Sequence, residues 1–262
     1  MRFSSYSPSL TGRFRENAYT LLFNTVAGLG GIRKPLRASA EFAHQPVTAD
    51  PLFNDSYYFN FFDTDQAVGG FTRIGKLANQ NSVNGILFIY NGPEEVLMLN
   101  QGGMLPENPE EIRAGTIRYE ILEPLQRIRL LSSGKMMRLT DLSLLLDPEK
   151  LRRYVGPDTF VPVEVDITFS GLAPAHNFKN IYFRGLARRM VEKGFGLTDL
   201  RRVRRVASSH YEQVGGYEGR LTIGDREIAL HGIGHRDHSW GLRDWTAPSA
   251  WTWLTMQFGT GI

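Results

Sequence analysis

The spacing of apolar positions changes once along the chain, near residue 50. Before it, Phe14, Ala18, Leu21, Leu22 and Thr25 recur at helical offsets between Arg13 and Val26. A stop signal, Gly28-Leu29-Gly30-Gly31, follows. This predicts one short amphipathic helix inside an arm, residues 1–42, whose first part is Ser-rich and holds Pro8. No small-residue cleavage pattern follows cleanly, so the helix is expected to plug or flank a barrel rather than to be a secretory signal.

After residue 50 the period becomes that of strands. Tyr57, Tyr58, Phe59, Phe61 and Phe62 form an aromatic run, Gly69-Gly70 leads into Phe71–Ile74, and Asn84-Gly85 leads into Ile86–Tyr90. The Gly and Asn-Gly pairs are read as tight turns, as is Asn91-Gly92-Pro93 before Val96–Leu99. Gly102-Gly103 and the stretch from Pro106 to Pro109 read as a loop, and strands resume at Ile117–Leu122 and Ile128–Leu131. Leu139–Tyr154, with Asp147-Pro148 inside it, reads as a connector with about one helical turn.

The clearest period-2 run is Phe160–Phe169, with Val161, Val163, Val165, Ile167 and Phe169 on one face. Further strands are expected around Tyr211–Val214, Leu221–Ile223 and Ile228–Ile233, with Gly224-Asp225 as a hairpin turn. Short strands at this spacing predict an all-β chain of antiparallel barrels or sandwiches in two β-rich parts, residues 43–155 and 156–262.

Composition narrows the function classes. The chain has 262 residues, 42% hydrophobic and 22% charged, within the globular range and far from disordered or coiled-coil sequences. A net charge of +3 from 30 basic and 27 acidic residues gives no reason to expect a nucleic-acid partner. The basic residues Arg184, Arg188, Arg189, Lys193, Arg201, Arg202, Arg204 and Arg205 have few aromatic neighbours and read as a solvated face. Zero Cys excludes disulfides, thiolate metal sites and cysteine nucleophiles. No run approaches a membrane span, and the expected location is the cytoplasm.

Candidate chemistry is concentrated in one stretch, His231 to Trp245, which holds three of the six histidines within eight positions. If it is extended, Ile233, His235, Asp237 and Ser239 face one side and Gly234, Arg236, His238 and Trp240 the other, unless a bulge at Gly232, Gly234 or Gly241 re-aims them. A hydrolase triad of His235, Asp237 and Ser239 is disfavoured, because strand residues two apart lie about 7 Å from each other. A metal site from His231, His235 and Asp237 lacks a convincing remote ligand, and no metal or cofactor is expected. A structural reading makes Arg236, Asp237, Arg243 and Asp244 an ion-pair lattice, with Trp240 and Trp245 in the core. The catalytic reading places a carboxyl or imidazolium in an apolar cavity. Burial would keep a carboxyl protonated so that it could protonate an alkene or enol. Trp240, Trp245, Trp251 and Trp253 would exclude water and stabilise positive charge.

Several strings carry a family resemblance: His210-Tyr-Glu-Gln213, Gly219, Gly234-His-Arg-Asp-His-Ser-Trp-Gly241, Arg243-Asp-Trp245, Trp251-x-Trp253 and Gln257-Phe258. Together they resemble the AttH-like, or hydroxyneurosporene synthase (carotenoid 1,2-hydratase)-like, superfamily of tandem lipocalin-type barrels. They are most similar to a bacterial branch whose reaction is unassigned. Tyr57–Phe62, Gly69–Ile74 and Gly85–Phe88 are similar to the first barrel of that branch. The resemblance implies two calycin-like barrels around an apolar ligand site near their junction. Family members usually continue for several strands beyond the Trp-x-Trp string, which implies here an incomplete second barrel.

The resemblance also implies cofactor-independent acid–base chemistry of hydratase, isomerase or cyclase type on a terpenoid, steroid or polyene. It carries catalytic roles to Asp237, His235 and His238, with Trp240 as a wall; beside it, Arg236, Arg243 and Asp244 are expected to orient the catalytic groups, and Trp245, Trp251, Trp253 and Tyr211 to contact the ligand. The expected partner is a lipophilic small molecule, with self-association left open. A non-catalytic carrier of a hydrophobic ligand is the competing expectation.

Overall fold

Alternation of apolar and polar side chains makes most of residues 53–242 into long antiparallel strands, and it decides which side of each strand is buried. The computed structural model describes residues 9–30, 36–177, 183–194 and 209–243. In chain order these form α1 (Leu10–Gly30), a 3₁₀ turn (Ala38–Glu41), β1 (Phe53–Asp63), β2 (Val68–Leu77), β3 (Ser82–Asn91), β4 (Glu95–Met104), β5 (Ile112–Ala114), β6 (Ile117–Glu123) and β7 (Arg127–Leu139). Then follow α2 (Pro148–Tyr154), β8 (Phe160–Gly171), β9 (His176–Asn177), α3 (Phe183–Lys193), β10 (Ser209–Ile223) and β11 (Arg226–Leu242).

The strands make one sheet in the order β4-β3-β2-β1-β11-β10-β8-β7-β6-β5. Pairing of β4 with β7, through Val96 with Leu139 to Met98 with Met137, closes eight of them into a ring. The expectation of two tandem lipocalin-like barrels, the second incomplete, is therefore corrected. β8, β10 and β11 complete the ring begun by β1–β4 and β7. The joint is the β1–β11 ladder, which runs without a break from Phe53 opposite Leu242 to Phe62 opposite Ile233.

One apolar core fills this ring. Phe59, Phe61, Ile74, Leu87, Ile89 and Leu97 come from the first strands, and Val165, Ile167, Phe169, Tyr217, Leu221 and Leu230 from the later ones. Phe59, Phe169, Tyr119 and Tyr217 pack edge to face at 5.0–6.0 Å and occupy its middle. Each such buried ring contributes about 1.5–3 kcal/mol relative to exposure. β5 and β6 extend the sheet from β7 and add Ile112, Ala114, Ile117 and Tyr119 to the same core.

Gly224-Asp225 and the turn after Asn91 occur where the pattern places them. Gly69-Gly70, Asn84-Gly85 and Gly102-Gly103 instead lie inside β2, β3 and β4, and the chain turns at residues 64–67 and 78–81. Close packing explains two of these glycines. A Cβ on Gly70 would sit 2.3 Å from the Phe88 carbonyl oxygen, and one on Gly85 would sit 2.6 Å from the Ala114 Cβ.

The arm helix is longer than its periodicity predicts, and it lies against α3 rather than plugging the ring. Leu10, Phe14 and Leu21 are exposed while Glu16 is buried. Of the basic stretch 184–205, the described part is α3 and its flanking Gly194, where Arg188 pairs with Glu192 at 3.1 Å. No described helix is long and apolar enough to cross a membrane.

The arm enters the ring through Glu41. Its carboxylate receives Arg236 Nη1 at 2.8 and 2.9 Å, the Tyr211 hydroxyl at 2.7 Å and the Leu125 amide at 2.7 Å. Gln213 accepts from Arg236 Nε and Nη2 at 2.9 and 2.7 Å, and donates to the carbonyls of Leu125 and Ala173. The guanidinium lies 5.0 Å from the Phe169 ring and 5.1 Å from the Tyr211 ring. The expected lattice with Asp237 is thus replaced, at Arg236, by a pair with Glu41.

Burial alone would raise the Glu41 carboxyl, but the Arg236 charge and the bonds from Arg236, Tyr211 and Leu125 bring it below its ordinary value of 4.5. A depressed carboxyl stabilises the fold above its unfolded pKa and loses that contribution as pH falls through the folded one. Glu41→Gln is therefore expected to cost about 3–5 kcal/mol at neutral pH, because Arg236 is left buried and unpaired. In urea denaturation, the gap between variant and wild type should narrow as pH falls below about 4.5.

Candidate functional site

β11 pairs in unbroken register with β1 and β10, so none of Gly232, Gly234 and Gly241 introduces a bulge and the strict alternation holds. Neighbouring residues of the histidine-rich string consequently serve opposite faces. Arg236, His238 and Trp240 point into the ring with Tyr211, whereas His235, Asp237 and Ser239 lie on its outer wall. The structure separates Asp237 from His238 by the thickness of the sheet.

On the outer wall, the register builds rows across neighbouring strands. Glu212 of β10, Asp237 of β11, Tyr58 of β1 and Arg73 of β2 form one row. Val214, His235, Asn60, Phe71 and Phe88 form the next. His210 Nε2 stands 3.5 Å from Glu212 and 4.0 Å from Asp237, and His235 Nε2 is 3.7 Å from Glu212. Arg243 follows β11, where its amide donates to the Leu52 carbonyl and its Nη2 reaches within 3.5 Å of the Ser209 carbonyl.

These groups are differently tuned. Burial raises the Asp237 carboxyl despite the attraction of His210, His238 and Arg243. Glu212 is lowered, first by its hydrogen bond from His210 and then by the charge of His235. Burial lowers His235, opposed by Glu212. Two carboxyl groups on adjacent strands are thus pushed in opposite directions, the arrangement from which an acid and a base are made. The Asp237 side chain retains 10% exposure.

The inner face at the same end carries a second group. His238 Nε2 lies 2.7 Å from Asp55 Oδ1, and the His44 amide donates to Asp55 Oδ2 at 2.8 Å. His238 stacks on Tyr57 at 3.9 Å, and His44 on Trp240 at 3.8 Å with the planes only 7° apart. Burial takes His44 down to about 4, against the pull of Asp55. The Nδ1 atoms of His44 and His238 are buried without a hydrogen-bond partner among the described residues.

Of the residues expected from sequence, Asp237, His235 and Arg243 gather on the outer wall, and His238, Trp240 and Tyr211 gather inside. Tyr211 serves the Glu41 network. Asp244, Trp245, Trp251 and Trp253 lie outside the described residues. Sequence reasoning missed Glu41, His44, Asp55 and the chemical role of His210 and Glu212. Asp55 had a signal, since it shares the inward phase of Phe53, Tyr57 and Phe59; His210 and Glu212 alternate with Tyr211 and Gln213. Glu41 and His44 precede the first strand and have none.

The chain belongs to the family described as a domain of unknown function, DUF7064, whose model matches residues 37–262. Among solved structures it is similar to the crystal structure of a candidate AttH protein from Nitrosomonas europaea, with a TM-score of 0.48 and 9% identity over 81% of this chain. The chain spans 57% of the length of that structure. No curated protein matches it.

A raised carboxyl stabilises the fold below its unfolded pKa and loses that contribution as pH rises through the folded value. Asp237→Asn, which removes the charge and keeps the shape, is accordingly expected to match or exceed the wild type in Tm at pH 7. Its advantage should shrink as pH falls toward 3.8, the ordinary value for this group. A variant clearly less stable at pH 7 would show that the carboxylate is anchored by His210 and Arg243 instead.

Proposed function

We propose that the chain is a cofactor-independent acid–base enzyme acting on a lipophilic small molecule at the outer wall of the ring. The observation that carries this reading is the desolvated Asp237 carboxyl beside His210 and ionised Glu212, at the edge of an aromatic stripe. Phe71 stacks on Phe88 at 4.8 Å, Tyr58 and Tyr90 flank Phe71 at 6.0 and 6.5 Å, and Phe62 and Tyr90 are exposed. A hydrocarbon laid along this stripe would bring one end to Asp237.

Protonated Asp237 would give its proton to a carbon–carbon double bond, and the resulting cation would lie beside the π faces of Tyr58 and Phe71. Glu212, held ionised by His210, would take a proton from an attacking water in a hydration, or from a neighbouring carbon in an isomerisation. Proton return from Glu212 through His210 would restore Asp237. This assignment gives Trp240 no part as a wall, because it faces inward. The sequence resemblance to carotenoid 1,2-hydratases supports an isoprenoid substrate and a place in the bacterial branch of that superfamily.

The exposed aromatic stripe also favours a second reading, a carrier that holds the ligand without transforming it. Native mass spectrometry after incubation with a lipid extract, followed by reaction in deuterated water, separates the two. An enzyme should release product carrying deuterium or one added water, and Asp237→Asn should slow this by about 100-fold or more while retaining ligand. Unchanged ligand recovered equally from wild type and variant would establish the carrier. No retained ligand at all would overturn both.

A further inference from the structure

The inner group has a chemistry that the outer-wall reaction does not use. We infer that His44, Asp55 and His238 bind a first-row divalent transition-metal ion at the rim of the ring. Each residue offers one ligand atom, and the three atoms lie within 4.8 Å of one another. His238 Nε2 and His44 Nδ1 approach the same oxygen, Asp55 Oδ1, at 2.7 and 3.9 Å. An ion bound at about 2.0–2.2 Å by nitrogen and oxygen holds its ligand atoms about 3.0–3.5 Å apart, between these two separations. A slide of His44 across Trp240, toward Asp55 and His238, would close the shell.

Preparation of the site supports the inference. His44 Nδ1 is buried without a hydrogen-bond partner among the described residues, although a carboxylate oxygen stands 3.9 Å away. A cation between the two would satisfy both. Asp55 is oriented by the His44 amide, and the two imidazoles are held flat against Tyr57 and Trp240. Lys76, opposite Asp55 on β2, donates from its ammonium to the carbonyls of Pro109 and Glu111, while the Asp55 charge also acts on it, so a bound ion would share Asp55 with this cation. The His44 side chain is 22% exposed, so an ion reaches the site from solvent, and water can fill the remaining positions. Two imidazoles and one carboxylate suit zinc, cobalt or ferrous iron better than magnesium or calcium, which prefer oxygen alone.

Titration of the full chain with Zn²⁺ against a chromogenic chelator tests this, with Co²⁺ substitution read by its visible absorption. One ion per chain is expected. His44→Ala, at the rim, should weaken binding by more than about 100-fold, beyond the usual cost of losing a group that only supports a ligand. Asp55→Asn should do the same, but Asp55 also anchors the His44 amide, so His44→Ala carries the test if that variant does not fold. His210→Ala should leave the affinity unchanged, since His210 belongs to the outer wall. Absence of stoichiometric binding overturns the inference and leaves the outer-wall reaction unaffected, whereas binding lost in His210→Ala and kept in His44→Ala overturns it by placing the ion among His210, Glu212 and Asp237, which would overturn the metal-free outer-wall reaction as well.

Discussion

The ladder between β1 and β11 is the constraint on which the remaining structure depends. It joins strands almost two hundred residues apart and turns two runs of hairpins into one ring. Because side chains alternate strictly along both strands, the same ladder fixes which residues share the interior and which share the outer wall. The row Glu212, Asp237, Tyr58, Arg73 exists only in this register.

The interior is built in layers at the end where Glu41 enters. Trp240, Asp55 and Lys76 lie opposite one another at the rim, Tyr211, His238 and Tyr57 below them, and Gln213, Arg236 and Phe59 deeper still. Arg236 is 1% exposed, and a lone buried guanidinium would be strongly unfavourable. Glu41 and Gln213 accept its hydrogen bonds, while Phe169 and Tyr211 present their π faces. The N-terminal segment is thereby tied to strands at the far end of the chain, and His44, three residues beyond Glu41, is delivered to Asp55.

Period-2 runs identified most strands, because Phe160–Phe169 and the aromatic run of β1 depend on local alternation alone. What they could not show was partnership. β11 follows β10 through a two-residue turn, but its other neighbour is set by which edges remain free once every apolar face is turned inward. Two rings and one ring satisfy the same alternation. The turn assignments at Gly69-Gly70 and Asn84-Gly85 failed for a related reason: these glycines answer to close neighbours across the sheet. In the site, Asp237, His235 and Arg243 were legible as a dense ionisable string. Their partners His210 and Glu212 reach them only through the β10 register, and the string's division into two faces rested on the absence of a bulge.

That division sets an unusual condition on a short piece of chain. From Ile233 to Trp240, every second residue answers to the interior of the ring and every other one to its outer wall, so the two sets can drift independently under point substitution. Insertion or deletion of a single residue would exchange them, presenting carboxylate to the core and guanidinium to the exterior. Selection on this segment should consequently tolerate changes of letter far more readily than changes of length.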